Sequence, residues 1–175
     1  MCEKPAIGGY THPRCGTRYA LDGLTSFFHY DGPVRRAVKE VKYRFVSDLI
    51  EEFIALAPNV PLPRATLIPI PLHASRFKYR GFNQAERLGV QLAKRLNVTI
   101  RTDILRRERP TIPQVEMKKR KERLENMQNV FVANRSPRNI LLFDDVFTTG
   151  ATMRAAANVL KRAGATFVWA VSMAR

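Results

Sequence analysis

The stretch from Asn139 to Thr152 constrains this chain more than any other. Ile140 to Phe143 is an unbroken apolar run, short enough to be a strand buried on both faces of a parallel sheet. Two adjacent acids, Asp144 and Asp145, stand at its end, followed by Thr148, Thr149, Gly150 and Thr152. A helical pattern starts at Ala151. Small and hydroxyl residues between a strand and a helix make an anion cradle, because the first helix amides lack partners and the macrodipole adds positive potential there. Carboxylates just upstream are placed to hold sugar hydroxyls or a metal ion near a bound phosphate. The stretch therefore predicts a site for a phosphorylated sugar.

The same ingredients occur in other folds, and most of those drop out. Neither G-x-x-x-x-G-K-[ST] nor G-x-G-x-x-G is present, which argues against ATP and dinucleotides. A phospho-receiver domain also opens with an apolar strand and two acids. It needs most of its chain after them, whereas 30 residues follow Asp145. No Cys, Ser or His stands in a recognisable nucleophilic triad.

Upstream, hydrophobic spacing predicts strands alternating with helices, hence an α/β fold with a parallel-sheet core and flanking helices. Leu24 to Tyr30, Ala65 to Ile70, Val98 to Leu105 and Thr166 to Met173 read as strands. Val34, Ala37, Val38, Val41 and Phe45 give the buried face of a first helix, with Pro33 at its start. A second helix is expected from Asp48 to Ala57, ended by Pro58, Pro61 and Pro63. Ala85, Leu88, Leu92 and Leu96 mark a third, and Ala156, Val159, Leu160 and Ala163 a fourth with Gly164 as its stop. Leu72 to Gln84 reads as a loop mixing Arg76, Lys78 and Arg80 with Phe77, Tyr79 and Phe82. Residues 106–138 read as a mobile basic loop with a short helix over 116–127, since Lys and Arg crowd a stretch with four acids. Ligands of such sheets sit beyond the carboxyl ends of the strands, where Asp144 and Asp145 fall.

Charge narrows the partners. Thirty Lys and Arg against 15 Asp and Glu give +15, which points to a phosphate-rich small molecule, nucleic acid, or both, the alternative being a solvated basic surface. No apolar run reaches the roughly 20 residues of a membrane span, and the start lacks the pattern of a signal peptide. Two cysteines make no disulfide framework, so a cytoplasmic protein is expected. Residues 1–22 form an irregular arm ahead of one domain at 23–175. Cys2, His12 and Cys15 in it are weak zinc candidates, three at most where a structural site takes four. Oligomeric state has no signal in the sequence.

The F-D-D-V-F-T-T-G-A-T run, Phe143 to Thr152, resembles the phosphoribosyl-pyrophosphate (PRPP) loop of type I phosphoribosyltransferases. Further motifs resemble the ComF family within them: Tyr30 to Arg36 with Lys42, Tyr43 and Arg44, then P-I-P-L-H (Pro69 to His73), and R-G-F-N-Q-A (Arg80 to Ala85). Pro113, Gln114 and the later Arg123 to Asn126 fit as well. The resemblance implies a type I phosphoribosyltransferase-like fold and Mg²⁺-dependent ribosyl transfer from PRPP to an unidentified acceptor, linked to competence and DNA uptake. It implies that Asp144 and Asp145 hold the ribose hydroxyls as the catalytic acids, and that Val146, Thr148, Thr149, Gly150, Ala151 and Thr152 wrap the 5′-phosphate. It places Pro71, His73, Arg76 and Arg80 on the pyrophosphate side, and Lys118, Lys119, Arg120, Arg123 and Asn126 on a mobile loop. Mg²⁺ would reach Asp144 and Asp145 through substrate oxygens. The arm would be the remnant of a Cys-rich zinc segment, and any hood over the acceptor would come from residues 1–60. Two other functions stay open: a competence accessory that binds single-stranded DNA through Phe77, Tyr79 and Phe82, and a regulator that senses PRPP without turning it over.

Overall fold

A computed structural model of the chain describes residues 7–43, 47–109 and 130–175. Four strands form its main sheet: β1 (Gly23–Phe28), β2 (Thr66–Pro69), β5 (Asn139–Val146) and β6 (Phe167–Ala174). They lie in the order β1-β6-β5-β2, and every pairing is parallel. β5 is thus paired along both edges. Ile140, Leu141, Leu142 and Phe143 are all fully buried, as an apolar run without alternation requires.

Side-chain alternation divides the core into two layers. Leu67, Leu141, Phe143, Trp169 and Val171 face α1 (Gly32–Tyr43), α2 (Ser47–Ala55) and α4 (Gln84–Leu96). Ile68, Ile140, Leu142, Val168 and Ala170 face α5 (Ala151–Arg162) and a two-stranded antiparallel ribbon of β3 (Leu105–Arg107) and β4 (Phe131–Ala133). The chain is therefore an α/β protein with a parallel sheet between helical layers. Among the described residues no helix is long and apolar enough to cross a membrane.

Several sequence expectations need correction. Leu72 to Gln84 is not all loop, because it contains the helix α3 (Ala74–Arg80). His73 caps its start, and Gly81 ends it at φ 76°, a left-handed conformation that suits glycine. No residue of α3 is buried, so there was no apolar stripe to detect. The expected strand at Val98 to Leu105 divides. Ile100 bridges Leu67 in parallel, and the backbone then turns through an Arg101–Asp103 ion pair before β3 begins at Leu105. The basic stretch 106–138 is structured at both described ends. β3 reaches Arg107, and Val130 and Phe131 are buried beneath the ribbon. Residues 110–129 lie outside the described part, and with them the helix expected over 116–127. α2 starts at Ser47 rather than Asp48, and Phe45 is also outside the described part.

Residues 7–22 run along the β1 edge in two 3-10 turns. Tyr10 bridges Gly23 and meets the Trp169 ring edge-on, with centroids 4.8 Å apart. Asp22 ties three segments together: it accepts from the Val168 amide at 2.7 Å and pairs with Lys161 of α5 at 2.8 Å. Trp169 donates to the Thr25 hydroxyl at 2.9 Å and fills the space over Gly23, where a Cβ would enter its ring. Replacing Gly23 by Ala should cost about 1–3 kcal/mol through overpacking. Urea unfolding followed by Trp169 fluorescence should show the lowered midpoint, and an unchanged midpoint would contradict this packing.

Candidate functional site

The connections, more than the strands, decide where a ligand can sit. From β2 the chain passes through α3 and α4 on one face, then returns at Ile100 on the outer side of β2. From β5 it passes through α5 on the opposite face to β6, on the inner side. Two neighbouring strands whose connections leave in opposite directions open a crevice at their carboxyl ends. Here that crevice lies between β2 and β5.

Its two walls are the segments after Pro69 and after Phe143, which face each other across the register Pro69 to Phe143. The Ile70 amide donates to the Phe143 carbonyl at 2.8 Å, so Pro71 and His73 begin beside Asp144. Asn83 fixes this wall from behind. It is buried, its amide donates to the Ile70 carbonyl at 3.0 Å, and its Oδ1 accepts from the Ala85 amide as the α4 cap. One side chain thus holds both the end of β2 and the start of α4. His73 turns Nδ1 inward to accept from the Ser75 amide at 3.2 Å. In the neutral ring this leaves the proton on Nε2.

On the other wall Asp144 and Asp145 are half-buried at the end of β5. One oxygen of each accepts the following amide at 2.9 Å, Asp145 N for Asp144 and Val146 N for Asp145. Val146 still pairs with Ala174. Thr148 and Thr149 are exposed, and the Thr149 hydroxyl accepts from the Ala151 amide at 3.4 Å. Gly150 caps α5 at φ 69°, buried against the Phe147 ring, where any Cβ would collide. Ala151 and Thr152 form the first turn of α5, so its unpaired amides open on the same edge as the acids.

One residue here was not singled out by the sequence. Arg107, at the end of β3, lies half-buried with its guanidinium 5.5 Å from the Phe131 ring centre. Burial pushes its proton affinity down, the Arg76 guanidinium pushes it further down, and the Asp144 carboxylate acts in the opposite sense. Arg107 thus feels the charges of both Arg76 and Asp144. In the sequence it was one of many cations in a basic run, with no mark to separate it. Arg76 is exposed on α3 and Arg80 is part-buried in its last turn. Lys118, Lys119, Arg120, Arg123 and Asn126 lie outside the described residues.

Among the described residues no cluster of three His, Cys, Asp or Glu could hold a metal ion. Two adjacent carboxylates do fit a Mg²⁺ whose remaining ligands are ligand oxygens and water. For zinc, Cys2 lies outside the described residues, Cys15 is exposed, and His12 Nδ1 is buried without a hydrogen-bond partner.

Known proteins resemble the chain over most of its length. Competence protein F of Haemophilus influenzae is 29% identical over 168 residues, 88% of this chain and 73% of that protein. ComFC of Streptococcus pneumoniae is 36% identical over 160 residues, 89% of this chain and 64% of its own length. ComFC of Bacillus subtilis is 30% identical over 146 residues, 79% of this chain and 58% of that protein. The chain is similar to these ComF competence proteins over most of its own length. It spans under two thirds of the two ComFC relatives. No family model matches it. Among solved structures, an allosteric regulatory enzyme of purine biosynthesis aligns with 77% of this chain and 30% of its own, at TM-score 0.46 and 16% identity.

The ComF motif R-G-F-N-Q-A acquires a physical role from Asn83. Asn83→Ala should remove the α4 cap and leave the Ile70 carbonyl without its side-chain donor. The expected cost is about 1–3 kcal/mol, read as a lowered urea midpoint. Stability within error of the native chain would contradict that role.

Proposed function

We propose that this chain binds PRPP with Mg²⁺ in the β2–β5 crevice and transfers its phosphoribosyl group to an acceptor. The observation that carries this reading is the position of the F-D-D-V-F-T-T-G-A-T motif: Asp144 to Thr152 stand at the sheet's switch point, opposite Pro71 to Arg76. The 5′-phosphate would sit on the amides and hydroxyls of Thr148 to Thr152, at the positive end of α5. Asp144 and Asp145 would turn toward the ribose 2′- and 3′-hydroxyls. The diphosphate would then extend toward Pro71, His73 and Arg76.

Bond breaking between ribose C1 and the diphosphate leaves a cationic sugar and a highly charged leaving group. Bound Mg²⁺ would supply charge neutralisation on the diphosphate. Asp144 and Asp145, in their low-dielectric crevice, hold the sugar in place and offset the charge that develops on it. Arg76 offers positive potential to the departing oxygens. No protein nucleophile is needed, since the acceptor attacks C1 directly. The names of the relatives support a part in competence for the chain.

PRPP with Mg²⁺ should raise the melting temperature, because a ligand that binds only the native state stabilises it. Asp144→Asn with Asp145→Asn should remove that shift while leaving the unliganded melting temperature close to native. A shift that persists in the double variant overturns the assignment. Pyrophosphate release that depends on an added base or amine would mark turnover, and its absence across a broad acceptor panel would mark a PRPP-sensing regulator.

A second reading draws on α3. Tyr79 is 86% exposed and Phe77 49% exposed, beside Arg76, Lys78 and Arg80 and with no acid in the helix. Exposed aromatics among cations can stack the bases of single-stranded DNA. Oligothymidylate affinity measured by anisotropy should fall steeply as salt rises, and Tyr79→Ala should weaken it by about 1–3 kcal/mol. Absence of binding at about 50 mM salt removes this reading.

A further inference from the structure

The sheet has a second edge, where its strands begin. Arg64 leads into β2 there, and Arg138 leads into its neighbour β5. Counting back two residues from the Thr66–Ile140 pair brings Arg64 to the level of Arg138. The end of α4 closes the third side, where Asn97 turns the chain at φ 51° into Val98 and Thr99. These three segments line a hollow of about 450 Å³, within the size range of small-molecule sites. It lies at the opposite end of β2 and β5 from Asp144 and Asp145.

The lining holds two arginines and no acid. Like charges at facing positions of neighbouring strands repel. Arg101 and Arg95 nearby are engaged, the first by Asp103 at 2.6 Å, the second by the Ala57 carbonyl at 2.7 Å and the Asn59 side chain at 2.9 Å. The Arg64 and Arg138 side chains have no ion pair or hydrogen bond among the described residues. Their backbones are fixed all the same. The Arg138 carbonyl accepts from the Thr166 and Phe167 amides at 2.9 and 3.0 Å, and the Leu67 amide donates to the Thr99 carbonyl at 2.8 Å, which ties β2 to the α4 side. Cations held on fixed backbone around a hollow lose little freedom on meeting an anion. Arginine's planar fork matches phosphate oxygens two at a time. Leu96, Val98 and Pro137 add apolar surface, and Thr66 and Thr99 add hydroxyls. We propose that this hollow is a second ligand site, for a small organic phosphate of the nucleoside monophosphate class. Its phosphate sits between Arg64 and Arg138, and its ring lies on the apolar side. Phosphate alone would leave most of the space empty. The alternative is a solvated basic rim with no ligand of its own. The proposal does not depend on the PRPP reading.

Isothermal titration of the full chain tests this with AMP, UMP, adenosine and inorganic phosphate as probes. At least one of the two nucleotides should bind, and adenosine and phosphate should each bind about tenfold more weakly or less. Arg64→Gln and Arg138→Gln, both at exposed positions, should each weaken the nucleotide by about three- to tenfold, a charged contact discounted for its exposure to water. Lys39→Gln removes an equal charge from the exposed side of α1 and should leave the affinity within about twofold. An equal loss in Lys39→Gln marks a general basic surface and overturns the proposal. So does native affinity in both arginine variants, which places the nucleotide elsewhere, the β2–β5 crevice included. Phosphate binding as tightly as the nucleotides marks an adventitious ion only and overturns it too. No binding of AMP or UMP by the native chain at about 1 mM overturns it as well, and leaves the PRPP reading untouched.

Discussion

Parallel pairing of β5 along both of its edges is the constraint on which the rest depends. Ile140 to Phe143 have no exposed face, so every one of them must be apolar, and any slip in register would carry a charged neighbour into one core layer. Each such side chain contributes about 1.5–3 kcal/mol by leaving water. That locked register fixes where the apolar run stops. It delivers two carboxylates to the rim, half-buried and already hydrogen-bonded to their own backbone, with no freedom to swing away.

The loops around that rim are held from outside the strand. Asn83 joins the end of β2 to the start of α4, and Gly150 turns the chain into α5 in a conformation and a space that admit no side chain. The ribbon packs into the α5-side core layer through Leu105 and Phe131, with Arg107 against the Phe131 ring. The candidate site, two acids beside a helix N-terminus, is thus held by a few anchoring contacts.

Much of the fold was legible because burial leaves a periodic trace. β5, β6, α4 and α5 have their apolar residues at the spacing of their element, and the sequence places them within a residue or two, except that β5 runs three residues past its apolar run, to Val146. α3 left no trace, since a helix with no buried residue has no stripe, and its boundaries rest on His73 and Gly81 alone. β3 and β4 were obscured for another reason. Leu105, Val130 and Phe131 seat the ribbon in the core, and the last two sit at the end of a long basic run whose composition hid them. The acids and threonines of the site were legible as a motif. Arg107 was not singled out, because its seat against Phe131 depends on a strand pairing that no local pattern announces.

The central claim is that the crevice between β2 and β5 receives PRPP by its 5′-phosphate. A crystal structure of the full chain with PRPP and Mg²⁺ tests this most directly. The account predicts the 5′-phosphate within hydrogen-bonding distance of the amides from Thr149 to Thr152, with the ribose hydroxyls on Asp144 and Asp145 and the diphosphate pointing to Pro71, His73 and Arg76. PRPP bound elsewhere on the chain, or seated with its diphosphate on the α5 amides, would contradict it.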